Sequence, residues 1–172
     1  QSLDTILDVA KELKSESKIQ FVFVGAGTET DRLKQRAIHE SIENIVFIPR
    51  LPMSEVGGVL DYANVLLVHL KRDPLFEITV PSKTQAYMAI GKPLLMAVSG
   101  DAADLVQEAQ CGRIARSEDV DNIKTAILEI YHLPTDGQHQ LGLNAKQFYD
   151  EKLSLSYGTQ QFIEIFKRVK DA

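Results

Sequence analysis

Apolar residues along this chain recur with two different periods, and the two alternate. Leu3, Ile6, Leu7, Ala10 and Leu13 fall three or four apart, which puts them on one stripe and predicts an amphipathic helix over residues 2–14. Polar residues 15–18 close it. Ile19–Val24 is short, β-branched and aromatic, as a strand buried on both faces would be. Gly25-Ala26-Gly27-Thr28-Glu29 then turns into a second helix, with Leu33, Ala37 and Ile38 as its inward stripe. Ile45–Pro49 reads as the next strand and Arg50–Met53 as its exit loop. Ser54 stands where it can N-cap a helix through Tyr62.

The second half repeats the alternation. Val65–Leu70 is a third apolar run and Pro93–Val98 a fourth, with a helix between them. Pro81 can open that helix, because its fixed φ suits the first turn, and Gly91 followed by Pro93 can end it. Ser99-Gly100-Asp101 starts a short helix with Ala102, Leu105 and Val106 inward. Gly112–Ala115 is a brief strand, and residues 117–131 form a helix that Ser117 or Asp119 can cap. Pro134 and Gly137 break the pattern before helices at 138–152 and 155–169, the last carrying Phe162, Ile163 and Phe166. Strands alternating with helices specify an α/β fold, a Rossmann-like parallel sheet with helices on both faces. Residues 1–172 read as one domain with no internal repeat, and only 132–138 and 151–156 look like linkers.

Composition narrows the function. Apolar content of 44% and charged content of 25% are ordinary for a globular protein, and the net charge of −5 argues against a nucleic-acid partner. The single cysteine, Cys111, excludes an internal disulfide, fits a reducing compartment and reads as a small core residue. No run approaches the roughly 20 apolar residues of a membrane span. The chain begins at Gln1 directly in a helical pattern, so it reads as part of something larger.

Two stretches suggest chemistry. After the first strand, Gly25 and Gly27 sit in a Gly-x-Gly turn before a helix, but position 30 is Thr, so the dinucleotide fingerprint fails. A tight turn explains both glycines; close approach of backbone to a ligand is the second reading. Loop 71–80 lies between a strand end and the helix at Pro81, where open α/β sheets bind ligands. Backbone N–H groups of that helix start suit a phosphate, and Lys83 in its first turn adds a full charge. Lys71, Arg72 and Lys92 lie nearby in sequence. His39, His69, His132 and His139 are scattered, so no metal-ligand cluster is expected, and His69 near a strand end reads as structural.

Pro81-Ser82-Lys83, Tyr87-Met88-Ala89 and Gly91-Lys92-Pro93 together resemble the nucleotide-sugar signature of the retaining glycosyltransferases of family 4 (group 1), which have the two-domain GT-B architecture. The resemblance covers roughly residues 1–130 and is sharpest from 77 to 96. It implies a C-terminal, donor-binding domain. In that family a Glu, seven residues and a second Glu mark the donor site. Glu77 matches the first and would be the catalytic residue touching the sugar. Gln85 stands at the second, keeping a carbonyl acceptor for a ribose hydroxyl but losing the charge. Charge-assisted hydrogen bonds are roughly twice as strong, so that contact should weaken. By the same resemblance Arg50 and Leu51 fall where a loop meets the nucleotide base, Thr79 and Val80 shape the phosphate turn, and Pro81, Ser82 and Lys83 face the diphosphate.

The resemblance further implies a UDP-linked amino sugar as donor and a lipid-linked or polysaccharide acceptor, with no metal and no other cofactor. Similarity to bacterial surface-polysaccharide enzymes, N-acetylfucosamine transferases among them, implies a place in O-antigen or capsule synthesis. The location implied is cytoplasmic, peripheral at the inner membrane face for the full-length enzyme. The family's acceptor-binding N-terminal domain, its first donor-domain strand and an Arg and Lys that clamp the diphosphate all precede the matched region. The chain alone is therefore expected to be inactive. A doubly wound order puts that first strand mid-sheet, so either unresolved residues or an irregular edge is expected there. Two other readings stay open. A sugar-nucleotide epimerase-like domain would need acid/base residues beyond Glu77. A non-catalytic α/β ligand-binding module, receiver-like, would need an acidic cluster at a strand end, whereas Asp101 and Asp104 start a helix.

Overall fold

The computed structural model describes residues 1–170. Helix α1 (Leu3–Glu12) leads to strand β1 (Phe21–Val24), helix α2 (Thr30–His39), strand β2 (Ile45–Ile48) and helix α3 (Met53–Tyr62). Strand β3 (Leu66–His69) is followed by the short α4 (Pro74–Glu77) and by α5 (Ser82–Ile90). Then come β4 (Leu94–Ala97), α6 (Asp101–Glu108), β5 (Gly112–Ile114), α7 (Val120–Tyr131) and α8 (Thr135–Phe148). A π turn at Tyr149–Leu153 joins α8 to α9 (Leu155–Lys170).

All strand pairs are parallel, as the α/β alternation requires. They form two sheets among the described residues, one ordered β1-β2 and one ordered β3-β4-β5. The division falls where the irregular edge was expected. Phe21 and Gly25 donate to the carbonyls of Asn44 and Ile48, so Val22 and Val24 turn their backbone groups away from β2. Leu66 donates to Pro93, so Leu67 and His69 likewise face away from β4. These two free edges flank the break.

Helix α1 bridges the break, because it buries side chains on two sides. Ile6 and Val9 join Leu95, Ala97 and Ile123 in one core, while Leu7 and Ala10 join Leu33, Ala37 and Ile42 in another. Its polar face is tied to α2 by charge. Arg32 reaches Asp4 at 2.6 Å, Arg36 reaches Asp4 at 2.9 Å and also pairs with Asp8, and Glu40 accepts from Arg36 at 2.7 Å and from Lys11 at 2.9 Å. The Arg32 guanidinium is the main reason the Asp4 carboxyl is held down to about 2, and Arg36 does the same for Glu40. The other core lies under β4, whose four residues are all buried, and gathers Val68, Met88, Met96, Val106, Cys111 and Phe148. Cys111 is thus the small core residue expected, its thiol pushed up to about 12 by burial.

Element boundaries moved in instructive places. Ser54 does not cap α3: that helix starts one residue earlier, at Met53, with Pro52 in the cap position and no side-chain cap bond. Ile38 leaves the predicted stripe and is 73% exposed, because only Leu33 and Ala37 of α2 reach the core. Helix α8 begins at Thr135 rather than 138, since Pro134 (φ −54°) adopts the cap position and starts the helix instead of interrupting it. Asp119, not Ser117, caps α7 by accepting from the Asn122 N–H at 3.0 Å. Helix α9 buries none of its residues, so Phe162 and Phe166 point to solvent.

Candidate functional site

Parallel strands place every loop that follows a strand on one edge of the fold. Five such loops collect here: Gly25–Gly27, Pro49–Pro52, Leu70–Pro81, Val98–Gly100 and Ala115–Asp119. All the predicted site residues except those inside α5 lie in the first three of these loops or on the short α4 within the third. Glu77, Thr79, Val80, Pro81, Ser82 and Lys83 form one continuous turn beyond β3, in the three-stranded sheet. Gly25, Gly27, Arg50 and Leu51 sit beyond the two-stranded sheet and make no hydrogen bond with that turn.

Local sequence explains the turn. The stretch expected as open loop contains α4, because Asp73 accepts from the Leu75 N–H at 3.0 Å and Pro74 fills the first helical position. That Asp-Pro pair is a helix-start signal legible in the sequence. Glu77 ends α4 with an exposed side chain that has no hydrogen-bond partner among the described residues. The Thr79 hydroxyl donates back to the Leu75 carbonyl at 2.5 Å. Pro81 is extended (φ −60°, ψ 136°) and immediately precedes α5 instead of occupying its first turn. Gly91 closes α5 in the left-handed region (φ 77°, ψ 40°), as its position implied.

The start of α5 has the properties of an anion site. Thr84 donates its N–H to Pro81, but the N–H groups of Ser82 and Lys83 have no acceptor among the described residues. Lys83 is half-buried and forms no ion pair there, and burial pushes its ammonium below the usual lysine range. The Thr84 hydroxyl next to it is fully buried and unpartnered. A desolvated cation beside free N–H donors and a positive helix end favours a phosphate. Gln85, one residue on, is exposed and unbonded.

The other sequence-adjacent cations disperse. Lys71 pairs with Asp73 at 3.5 Å, and Lys92 pairs with Asp61 at 3.4 Å at the opposite end of α5. Gly25 takes φ 137°, which favours glycine, and nothing lies within 4 Å of where a side chain would project. Gly27 donates its N–H to the Thr30 hydroxyl at 2.8 Å, so it serves the turn into α2. Arg50 is exposed and unpaired.

Two residues that the local pattern did not single out tie the edge together. Glu118, in the left-handed region at φ 59°, accepts from the Arg72 N–H at 2.8 Å and the Ser2 hydroxyl at 2.6 Å. Its own N–H donates to Nε2 of His69 at 3.2 Å, while Nδ1 of His69 lies 2.6 Å from the Gln1 carbonyl. Both ring nitrogens are engaged, which assigns the neutral form with its proton on Nδ1; burial, which lowers the ring's affinity for a second proton, agrees. His69 is structural, as expected. The second residue is Gly100, which abuts Glu77. A cavity of 530 Å³ lined by Gln107, Gln110, Arg113 and Asn144 lies at the other end of α6, where Asn144 and Arg113 are already bonded to Gln110 and Glu129. No cluster of three or more metal-ligating side chains occurs among the described residues, and no described helix is long and apolar enough to cross a membrane.

Residues 1–148 match the profile of the family described as glycosyl transferases group 1. Over 114 residues the sequence is 31% identical to the probable glycosyltransferase WbjE of Pseudomonas aeruginosa, covering 65% of this chain and 28% of that protein. The fold is similar to that of sucrose-phosphate synthase from Thermosynechococcus elongatus, with TM-score 0.80 and 16% identity over 99% of this chain and 43% of that one. It is equally similar to Alr3699/HepE of Anabaena, solved in complex with UDP, with TM-score 0.80 and 15% identity over 98% and 45%. The chain therefore spans less than half the length of these relatives.

Proposed function

The chain belongs to the group 1 glycosyl transferases, and from that membership we propose that it forms the donor-binding part of a retaining enzyme that transfers an amino sugar from UDP. The observation that carries this is the half-buried, unpaired Lys83 beside the free N–H groups of Ser82 and Lys83. Scission of the bond between the anomeric carbon and the β-phosphate oxygen leaves that oxygen with growing negative charge. Donors already fixed toward it stabilise the transition state more than the bound substrate, and that difference is catalysis. No metal or other cofactor enters this scheme.

Glu77 accepts from sugar hydroxyls at the end of α4. Gln85 accepts from a ribose hydroxyl through its carbonyl, more weakly than a carboxylate. The open space before Gly25 lets backbone approach the ligand, and the Arg50-Leu51 loop meets the base. The UDP bound to Alr3699/HepE supports a uridine donor here. The acceptor is a lipid-linked or polysaccharide chain, with the whole enzyme at the cytoplasmic face of the membrane and its acceptor-binding domain outside residues 1–172.

A calorimetric titration with UDP, GDP and ADP tests the reading. UDP should bind at about 1 mM, near 4 kcal/mol, and ahead of the other two. Preference for GDP would replace the uridine donor. No heat from any of the three, in this chain or in the full-length protein, would overturn the nucleotide site.

A further inference from the structure

Glu77 has no side-chain partner to aim it, and α4 buries none of its residues, so something else must fix this carboxylate. The backbone supplies it. Gly100, in the turn after β4, has φ 80° and ψ −148°, a region that side-chain-bearing residues avoid. A Cβ there would lie 1.9 Å from the Glu77 carbonyl oxygen, 2.6 Å from its carbon and 2.8 Å from its Cα. The bare α-carbon of Gly100 is therefore seated against the Glu77 peptide. Strand β4 behind it is wholly buried, so this turn is anchored in the core, whereas α4 lies on the surface.

We infer that Gly100 is a positioning residue for Glu77: the β4–α6 turn is a backstop that holds the donor-site carboxylate at its place on the ligand edge. The inference rests on the reading of Glu77 as the sugar-contacting acid. It makes the turn between Ser99 and Asp101 part of the catalytic geometry through its backbone. An alanine at 100 would force the Glu77 peptide to retreat by more than 1 Å, since real Cβ contacts essentially never fall below 3.0 Å. Misplacement of about 1 Å costs on the order of 100-fold in rate.

The test uses the full-length enzyme, with UDP release from UDP-N-acetylglucosamine as turnover and calorimetry with UDP as affinity. Gly100→Ala should lower kcat about 100-fold and leave UDP affinity within about twofold, because Lys83 and the free N–H groups belong to α5, a separate helix held in the core by Thr84 and Met88. Gly91→Ala incurs a smaller backbone cost, since φ 77° and ψ 40° lie in the left-handed region that other residues can enter, and meets only contacts of 3.4 Å or more, so it should lose some stability and keep kcat. In a Glu77→Ala background, Gly100→Ala should have no further effect on kcat, which a merely structural role would not produce. A glycine inserted between Ser99 and Gly100 slackens the backstop without adding bulk, and should also lower kcat if the alanine variant fails to fold. Wild-type kcat in both Gly100→Ala and the insertion variant, or equal losses of kcat and UDP affinity, would overturn the positioning role. Wild-type kcat in Glu77→Ala would instead overturn the reading beneath it.

Discussion

Replacing Lys83 by Met removes the charge and keeps the apolar stem, so it isolates the electrostatic role of this side chain. In the free protein the ammonium is half-buried with no acid partner, and its pKa is lowered by burial alone. A charge disfavoured by the fold costs stability wherever it is protonated, and that cost fades as pH rises from the lowered pKa toward the ordinary 10.5. The ligand-free Lys83→Met protein should therefore melt slightly higher than wild type at neutral pH. With UDP the order reverses. For a dissociation constant of about 1 mM, about 10 mM UDP stabilises the wild type by RT ln(1 + [L]/Kd), about 1.4 kcal/mol. At roughly 2–4 °C per kcal/mol for a chain of this size, that is an upward shift of about 3–6 °C. Losing one charge-assisted contact of about 1.5–3 kcal/mol weakens binding at least tenfold and leaves about 0.4 kcal/mol or less. The variant's shift should then be about 1.5 °C or less. Thermal melts of both proteins with and without UDP measure this directly. An undiminished UDP shift in Lys83→Met would refute the placement of Lys83 on the diphosphate.

Two further outcomes follow from the fold. Met88, fully buried in the last turn of α5, should cost about 2–5 kcal/mol when cut to Ala, read as a lower denaturation midpoint with unchanged slope. Asp4 is held at about 2 by Arg32, so its contribution is present above its ordinary value of 3.8 and is lost as pH falls toward 2. Partial exposure screens it, so Asp4→Asn should remove less than about 1 kcal/mol at pH 7 and flatten the pH dependence of melting between 4 and 2.

Much of the chain could be read directly. The strand positions, the left-handed Gly91 and the phosphate-suited start of α5 all depend on residues within a few positions of one another. The Asp73-Pro74 start of α4 is an equally local signal. Ser54 misled for the opposite reason: a good capping residue does not cap when the helix begins before it. Ile38 had the right spacing, but α2 reaches the core only through Leu33 and Ala37, and a periodic pattern cannot say how wide the covered stripe will be.

The sequence by itself determined the order and kind of the elements, and it put Glu77, Ser82 and Lys83 around one turn, because periodicity, turn chemistry and helix starts act over a few residues. Only the tertiary structure decided that the sheet divides between β1 and β3, that α1 spans the division, and that Gly100 presses on Glu77 from 23 positions away. Those outcomes depend on which surfaces meet once the chain has closed on itself. Steric fit between distant backbones leaves no mark on local spacing beyond a glycine that in sequence reads as one more turn residue.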